Sequence, residues 1–445
     1  MNRIIIRQAT LINEGQRSQK DVLIEDGHIS RIDNDLSHLI VDRVIEAEEH
    51  YLLPGMIDDQ VHFREPGLTY KAEIATESRA AVAGGITSTM EMPNCNPSTT
   101  NKEALKQKLD RASKVSATNY AFYLGATNEN IENIKSIPHE LTCGIKVFMG
   151  SSTGNMLVDN PEVLRSIFSS TPLLIATHCE DSPTIKSLED EYRQKYGDNI
   201  PAIYHSKIRS AEACYLSSSL AVSLAREFGS RLHVLHLTTA KEMEHFETGP
   251  IRNKKITAEA CVHHLWYCEE DYERLHHQIK CNPAIKTLED RTALRKALSE
   301  DRLDIIATDH APHTWEEKQN PYTSAPAGLP LVQHALLIAL ELSTQGIISL
   351  EKVVEKTAHN PAIRYQVAKR GYLREGYWAD LVLVSPKQTH TVTKEGLYYK
   401  CGWSPFEGDT FKHSIAMTFV NGQIAYEQNN LVDGVLGKAL EFDRD

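Results

Sequence analysis

The sequence predicts an α/β fold: a (β/α)8 TIM-type barrel with a small β-domain built from both termini. Eight short apolar runs alternate with helical patterns between about residue 52 and residue 359. Alternating-pattern strands flank this region on both sides. The eight runs are nearly continuous in apolar residues, as parallel strands covered on both faces must be.

The first 50 or so residues read as β-structure. Residues 3–12 and 21–24 alternate, and Glu25-Asp26-Gly27-His28 offers a hairpin turn. The barrel strands are predicted at 52–58, 86–92, 120–124, 144–148, 173–177, 232–237, 256–260 and 303–308. Helical patterns lie between them at 71–83, 102–112, 206–228, 288–299 and 330–342. A charged insertion at 179–205 reads as a surface lobe, and the polar, Pro-containing loop 314–327 as a candidate lid. Beyond Ala358-His359-Asn360-Pro361 the pattern returns to β, with strands at 379–384 and 415–420 and a turn at Asn421-Gly422. The predicted domains are residues 1–54 plus 365–445, a small β-sandwich-like unit, and residues 55–364, the barrel.

Composition narrows the function classes. The 445 residues carry 48 Lys+Arg and 60 Asp+Glu, for a net charge of −12. That balance argues against nucleic acid as a partner. Hydrophobic residues make up 41% and charged residues 24%, which excludes a disordered or collagen-like chain. No apolar run reaches the about 18 residues a membrane span needs; stretch 328–342 is interrupted by Gln333, His334 and Glu341. The alternating N-terminus lacks a signal-peptide core. Eight cysteines without CxxC spacing fit a reducing, cytoplasmic setting.

In an α/β barrel the chemistry sits at the C-terminal ends of the strands, and few polar residues lie there. Strand 1 ends in Gln60-Val61-His62-Phe63-Arg64, and extended alternation would turn Gln60, His62 and Arg64 to one face. Strand 4 holds Lys146 in an otherwise apolar run. Burial favours its neutral amine, which can react with carbon dioxide to give a carbamate, a carboxylate-like metal ligand; the plainer alternative is an ion pair. Strands 5 and 6 end in His178 and His236, the latter nearer the strand end than His233. Strand 8 ends in Asp309, with His313 four residues on; Asp309 could be a ligand, a general base or a helix cap. His62, Lys146, His178, His236 and Asp309 thus form an N/O donor set without cysteine. It fits zinc, and also manganese, cobalt, nickel or iron. Cys179, beside a ligand candidate, faces the other way and reads as a small buried hydrophobe.

Together, VHFREPG (61–67), MPN (92–94), KVFMGSSTGN (146–155) and TDHAPH (308–313) resemble the dihydroorotases of the amidohydrolase superfamily, over nearly the whole chain. The resemblance implies a pyrimidine-synthesis enzyme that interconverts N-carbamoyl-L-aspartate and L-dihydroorotate, using a metal-activated hydroxide. By the same resemblance, Lys146 is a carboxylated ligand beside His62, His178 and His236, holding one or two Zn2+. Asp309 is a ligand and the proton shuttle. Arg64, Asn94 and His313 take the substrate carboxylate, while Asn282, Ala327 and Gly328 lie near the ring. The implied partners are this small-molecule substrate, a second copy in a homodimer, and aspartate transcarbamoylase; neither nucleic acid nor membrane is expected.

One position departs from the pattern. The family has His-x-His on strand 1, and this chain has Gln60-Val61-His62. An amide oxygen is a weaker transition-metal ligand than imidazole. Gln60 favours one rival reading, a non-catalytic partner of aspartate transcarbamoylase; the other is a hydantoinase- or allantoinase-type cyclic amidohydrolase, which shares the barrel and the metal lysine but whose substrates lack the carboxylate that Arg64 would serve.

Overall fold

The structure is a computed structural model describing residues 3–150 and 155–444. Residues 151–154, within the KVFMGSSTGN stretch, lie outside it.

Eight parallel strands form the barrel: Met56–Val61, Ile86–Glu91, Asn119–Phe122 continued by Leu124–Gly125, Ile145–Phe148, Ile175–His178, Leu232–Val234, Ile256–Cys261 and Ile305–Ala307. The last closes on the first through a parallel bridge between Val61 and His310, where the His62 amide donates to the His310 carbonyl at 2.7 Å. Between consecutive strands the chain returns through helices such as Ile74–Ala83, Lys102–Val115, Ala211–Phe228 and Leu288–Ser299.

Local chemistry sets where the helices start. Asn101 accepts from the Ala104 amide, Ser210 from Ala213 and Thr287 from Asp290, each filling a donor left open at a helix N-terminus. The expected 206–228 helix is therefore two elements, His205–Ile208 and Ala211–Phe228, because Ser210 caps the second. The charged 179–205 insertion forms the helix Ser182–Tyr196, anchored through buried Ile185 against Ile200, Ile208 and Tyr322. The helix Ala335–Thr344 is buried at every position from Ala335 to Leu342. Burying each of its Leu and Ile side chains stabilises the fold by roughly 1.5–3 kcal/mol.

A second, nine-stranded sheet joins the two ends of the chain. The strand Leu381–Ser385 pairs antiparallel with Tyr51–Pro54 on one side and Ser414–Val420 on the other. Two of its hairpins close through two-residue turns with both central φ angles positive: Asp26-Gly27 (49° and 84°) and Asn421-Gly422 (51° and 76°). This geometry matches the twist of the flanking strands and favours Asn/Asp followed by Gly. Among the described residues no helix is long and apolar enough to cross a membrane.

Candidate active site

A cavity of about 290 Å³ opens at the C-terminal ends of the barrel strands. All eleven residues singled out from the sequence line it: His62, Arg64, Asn94, Lys146, His178, His236, Asn282, Asp309, His313, Ala327 and Gly328. Gln60, Phe148, Ala311 and Pro326 complete the wall.

The strand-1 residues do not reach the cavity by simple alternation. The strand ends at Val61, and Arg64 has φ of +68°. A left-handed turn, not a shared strand face, brings Arg64 in. His236 (φ +40°) and Asp309 (φ +52°) are also left-handed. Such backbone costs of order 1–3 kcal/mol per residue and persists only where neighbours hold it. Glu259 Oε1 accepts the His236 amide at 3.2 Å. Beside Asp309, Asp58 accepts from the Thr308 amide at 3.1 Å and its hydroxyl at 2.6 Å, while the His310 amide donates to the Thr308 hydroxyl at 2.9 Å. Burial pushes the Asp58 carboxyl up to about 8.

Two contacts in the cavity set a histidine lone pair against another metal-ligating atom. His178 donates from Nε2 to Glu180 Oε2 at 2.8 Å, so its Nδ1 is a bare acceptor, and that atom lies 3.0 Å from His236 Nε2. His62 donates from Nδ1 to Asn94 Oδ1 at 2.7 Å, leaving Nε2 bare 3.0 Å from Asp309 Oδ1. Each contact brings two potential ligand atoms together. Burial lowers the pKa of His62 and His178, and lowers that of His236 further with help from the charges of His178 and Lys146. Neutral imidazole is the form that binds metal. Lys146 is 1% exposed, and among the described residues no group hydrogen-bonds to its amine. The Phe148 ring centroid lies 4.5 Å from Nζ. Burial brings the amine down to about 8. The donor set fits a divalent transition cation.

Gln60 turns its amide Nε2 to Asp309 Oδ1 at 3.0 Å, with Cys261 Sγ 3.7 Å from Oε1. In this orientation it supports the carboxylate and offers no ligand atom. Cys179 is buried and points to the Thr177 hydroxyl. His233 lies below the cavity between Asp59 and Glu259; burial alone would lower its pKa, but the two carboxylates raise it to about 9. A second buried group, His263, His264 and Cys281, also has metal-ligating side chains within mutual reach.

One end of the cavity is built on Arg64. Its Nε donates to the Pro312 carbonyl at 3.0 Å, and a terminal nitrogen lies 3.0 Å from His313 Nε2. Lys71 Nζ reaches His313 Nδ1 at 2.9 Å, and the Ala327 carbonyl lies 3.1 Å from Nε2. A neutral imidazole has one lone pair, so it cannot accept from both cations. Arg64 is 8% exposed, and among the described residues no carboxylate pairs with it. Burial lowers its pKa to about 10, so it stays charged at neutral pH.

Sequence reading missed the groups behind the first layer. Glu180 takes His178 Nε2–H and is held by Arg209 at 2.6 Å. Burial alone would raise the Glu180 carboxyl, but Arg209 and His178 hold it at about 2. Only the acidic residue two places after the predicted ligand hinted at this.

The chain resembles known proteins over most of its length. A dihydro-orotase-like family model matches residues 49–242, and an amidohydrolase family model matches residues 211–425. The chain is 32% identical to a dihydroorotase of Halobacterium salinarum, over 80% of this chain and 82% of that protein. It is also 32% identical to a dihydroorotase of Methanosarcina mazei, over 91% and 90%. Among solved structures, an L-hydantoinase (dihydropyrimidinase) from Arthrobacter aurescens superposes with a TM-score of 0.92 at 24% identity, covering 99% of this chain and 100% of that one. A dihydropyrimidinase from Brevibacillus agri superposes at 0.90 with 23% identity, covering both chains fully. These two likenesses show the fold.

Proposed function

The chain belongs to the dihydroorotase family of metal-dependent amidohydrolases, and from that membership we propose that it interconverts N-carbamoyl-L-aspartate and L-dihydroorotate, a step toward UMP. The observation that carries this reading over the hydantoinase alternative is Arg64. A buried guanidinium without a carboxylate partner among the described residues, at the wall of a cavity, calls for an anionic ligand. Dihydroorotate brings a carboxylate; hydantoin and dihydrouracil do not.

Lys146 as a carbamate, His178 and His236 would hold the tighter zinc ion, and His62 and Asp309 a second, weaker position because Gln60 stands where an imidazole would be. When bound, the metal supplies a Lewis acid that activates water and polarises the amide carbonyl. Arg64, supported by Asn94 and His313, grips the substrate carboxylate and aligns the ring. Asp309 accepts the proton of the attacking water and delivers it to the departing ring nitrogen. In ring closure the same carboxylate runs the transfer in reverse. Asn282, Ala327 and Gly328 form the wall against the ring.

Turnover of dihydroorotate, hydantoin, dihydrouracil and allantoin by the zinc-loaded protein tests the assignment. Dihydroorotate alone should be opened efficiently. A preference for the uncharged rings would select the hydantoinase reading. Absence of both turnover and metal would select a non-catalytic role.

A further inference from the structure

Two lysines lie buried beside the cavity without a carboxylate partner among the described residues. Lys318 is 1% exposed, and Lys280 is 8% exposed. Lys318 Nζ donates to the carbonyls of Lys280 at 3.1 Å, Pro326 at 2.9 Å and Gly328 at 3.0 Å. Three acceptors match the three hydrogens of one ammonium. Lys280 Nζ donates to the carbonyls of Tyr322 at 2.5 Å and Ala325 at 2.6 Å. Every one of these five bonds ends on backbone, and four of the five acceptors belong to the loop that the sequence offered as a lid or to the Gly328 that follows it.

The tied segments carry cavity residues. The Lys280 carbonyl that Lys318 holds also accepts the Gly328 amide at 2.9 Å, and Asn282 is two residues further on. The Ala327 carbonyl, between two carbonyls bound by Lys318, is the one beside His313 Nε2. Gly328 has φ of +142°, and a Cβ there would stand 2.3 Å from the Ala311 carbonyl, so the segment is packed directly on the chain that follows Asp309. Burial lowers the Lys318 pKa well below that of a free lysine; Lys280 and Arg64 lower it further, while Cys281 and Glu317 act the other way. The Trp403 ring lies 6.0 Å from Nζ.

We propose that Lys318 is a positioning residue whose buried amino group ties residues 280–282 and 326–328 into one fixed wall of the substrate cavity. The loop is thereby fastened at its base. The wall sets the donor state of His313 through the Ala327 carbonyl and the placement of Asn282. This rests on the reading of the cavity as the dihydroorotate site.

The test is Lys318→Met in the full-length, zinc-loaded protein. KM for dihydroorotate should rise about tenfold or more while kcat stays within about threefold and metal content is unchanged. An unchanged KM, or a fall in kcat alone, would overturn the proposal. Should the variant fail to fold, hydrogen exchange on the unsubstituted protein decides. The Gly328 amide should exchange at least about a hundredfold more slowly than that of the exposed Asn429; comparable rates would refute the clamp. Exchange does not depend on the substrate, so an unsubstituted protein that ignores dihydroorotate would count against the functional reading while leaving the clamp to be judged separately.

Discussion

His178 Nδ1 lies 3.0 Å from His236 Nε2, and His178 has already given its only neutral-state proton to Glu180. The Glu180–Arg209 pair therefore aims a lone pair into the cavity from outside the cavity wall. A carboxylate behind a metal-binding histidine fixes its tautomer and raises its basicity.

Glu180→Gln should weaken zinc binding by about 10- to 100-fold, read by competition with a chelator. The pH dependence follows from the same group. Its folded-state pKa of about 2 lies below the about 4.3 of an unfolded glutamate, so the stability it contributes is present above pH about 4.3 and is lost as pH falls toward 2. Acid unfolding of the variant should lack this component of the wild-type curve.

Lys146→Ala should lose zinc, measured by elemental analysis. Full metal and full activity in that variant would refute the carbamate. With the amine at about 8, roughly a tenth is neutral at pH 7 and about half at pH 8. Reactivation of metal-free protein by zinc and bicarbonate should accordingly be faster at pH 8 than at pH 7, followed as recovered turnover.

Asp309→Asn should abolish nearly all turnover while most of the zinc remains, because His178 and His236 are untouched. Its amide cannot carry the proton. Wild-type-like kcat would end the shuttle assignment.

Arg64→Gln should reduce kcat/KM for dihydroorotate by about 10- to 100-fold, the loss of one or two hydrogen bonds to a charged group at about 1.5–3 kcal/mol. Any residual activity on hydantoin should be unaffected. Equal losses on both substrates would mean that Arg64 does not read the carboxylate.

The barrel was legible because strands covered on both faces must be apolar, and a polar residue closing such a run stands out. Lys146, His178, His236 and Asp309 were visible for that reason. Strand ends were less so: the sixth run was expected to reach residue 237, but the strand stops at Val234, just before the left-handed His236 turns the chain into the cavity. Arg64 was found for a reason that does not hold, since the extended face it was assigned to ends at Val61. The supports of the site were hidden. Arg209 reaches Glu180 across 29 residues, and Lys318 reaches the Lys280 carbonyl across 38. A buried lysine that bonds only to carbonyls leaves no charge pattern to read. The loop 314–327 looked free because its composition is polar, yet its fastening comes from side chains binding its backbone.

The most direct test is a crystal structure of protein prepared with zinc and bicarbonate, examined at Lys146. Extra carboxylate density on Nζ, with an ion shared by that group, His178 Nδ1 and His236 Nε2, is the predicted result. A bare ammonium with no ion between the two imidazoles would contradict the account.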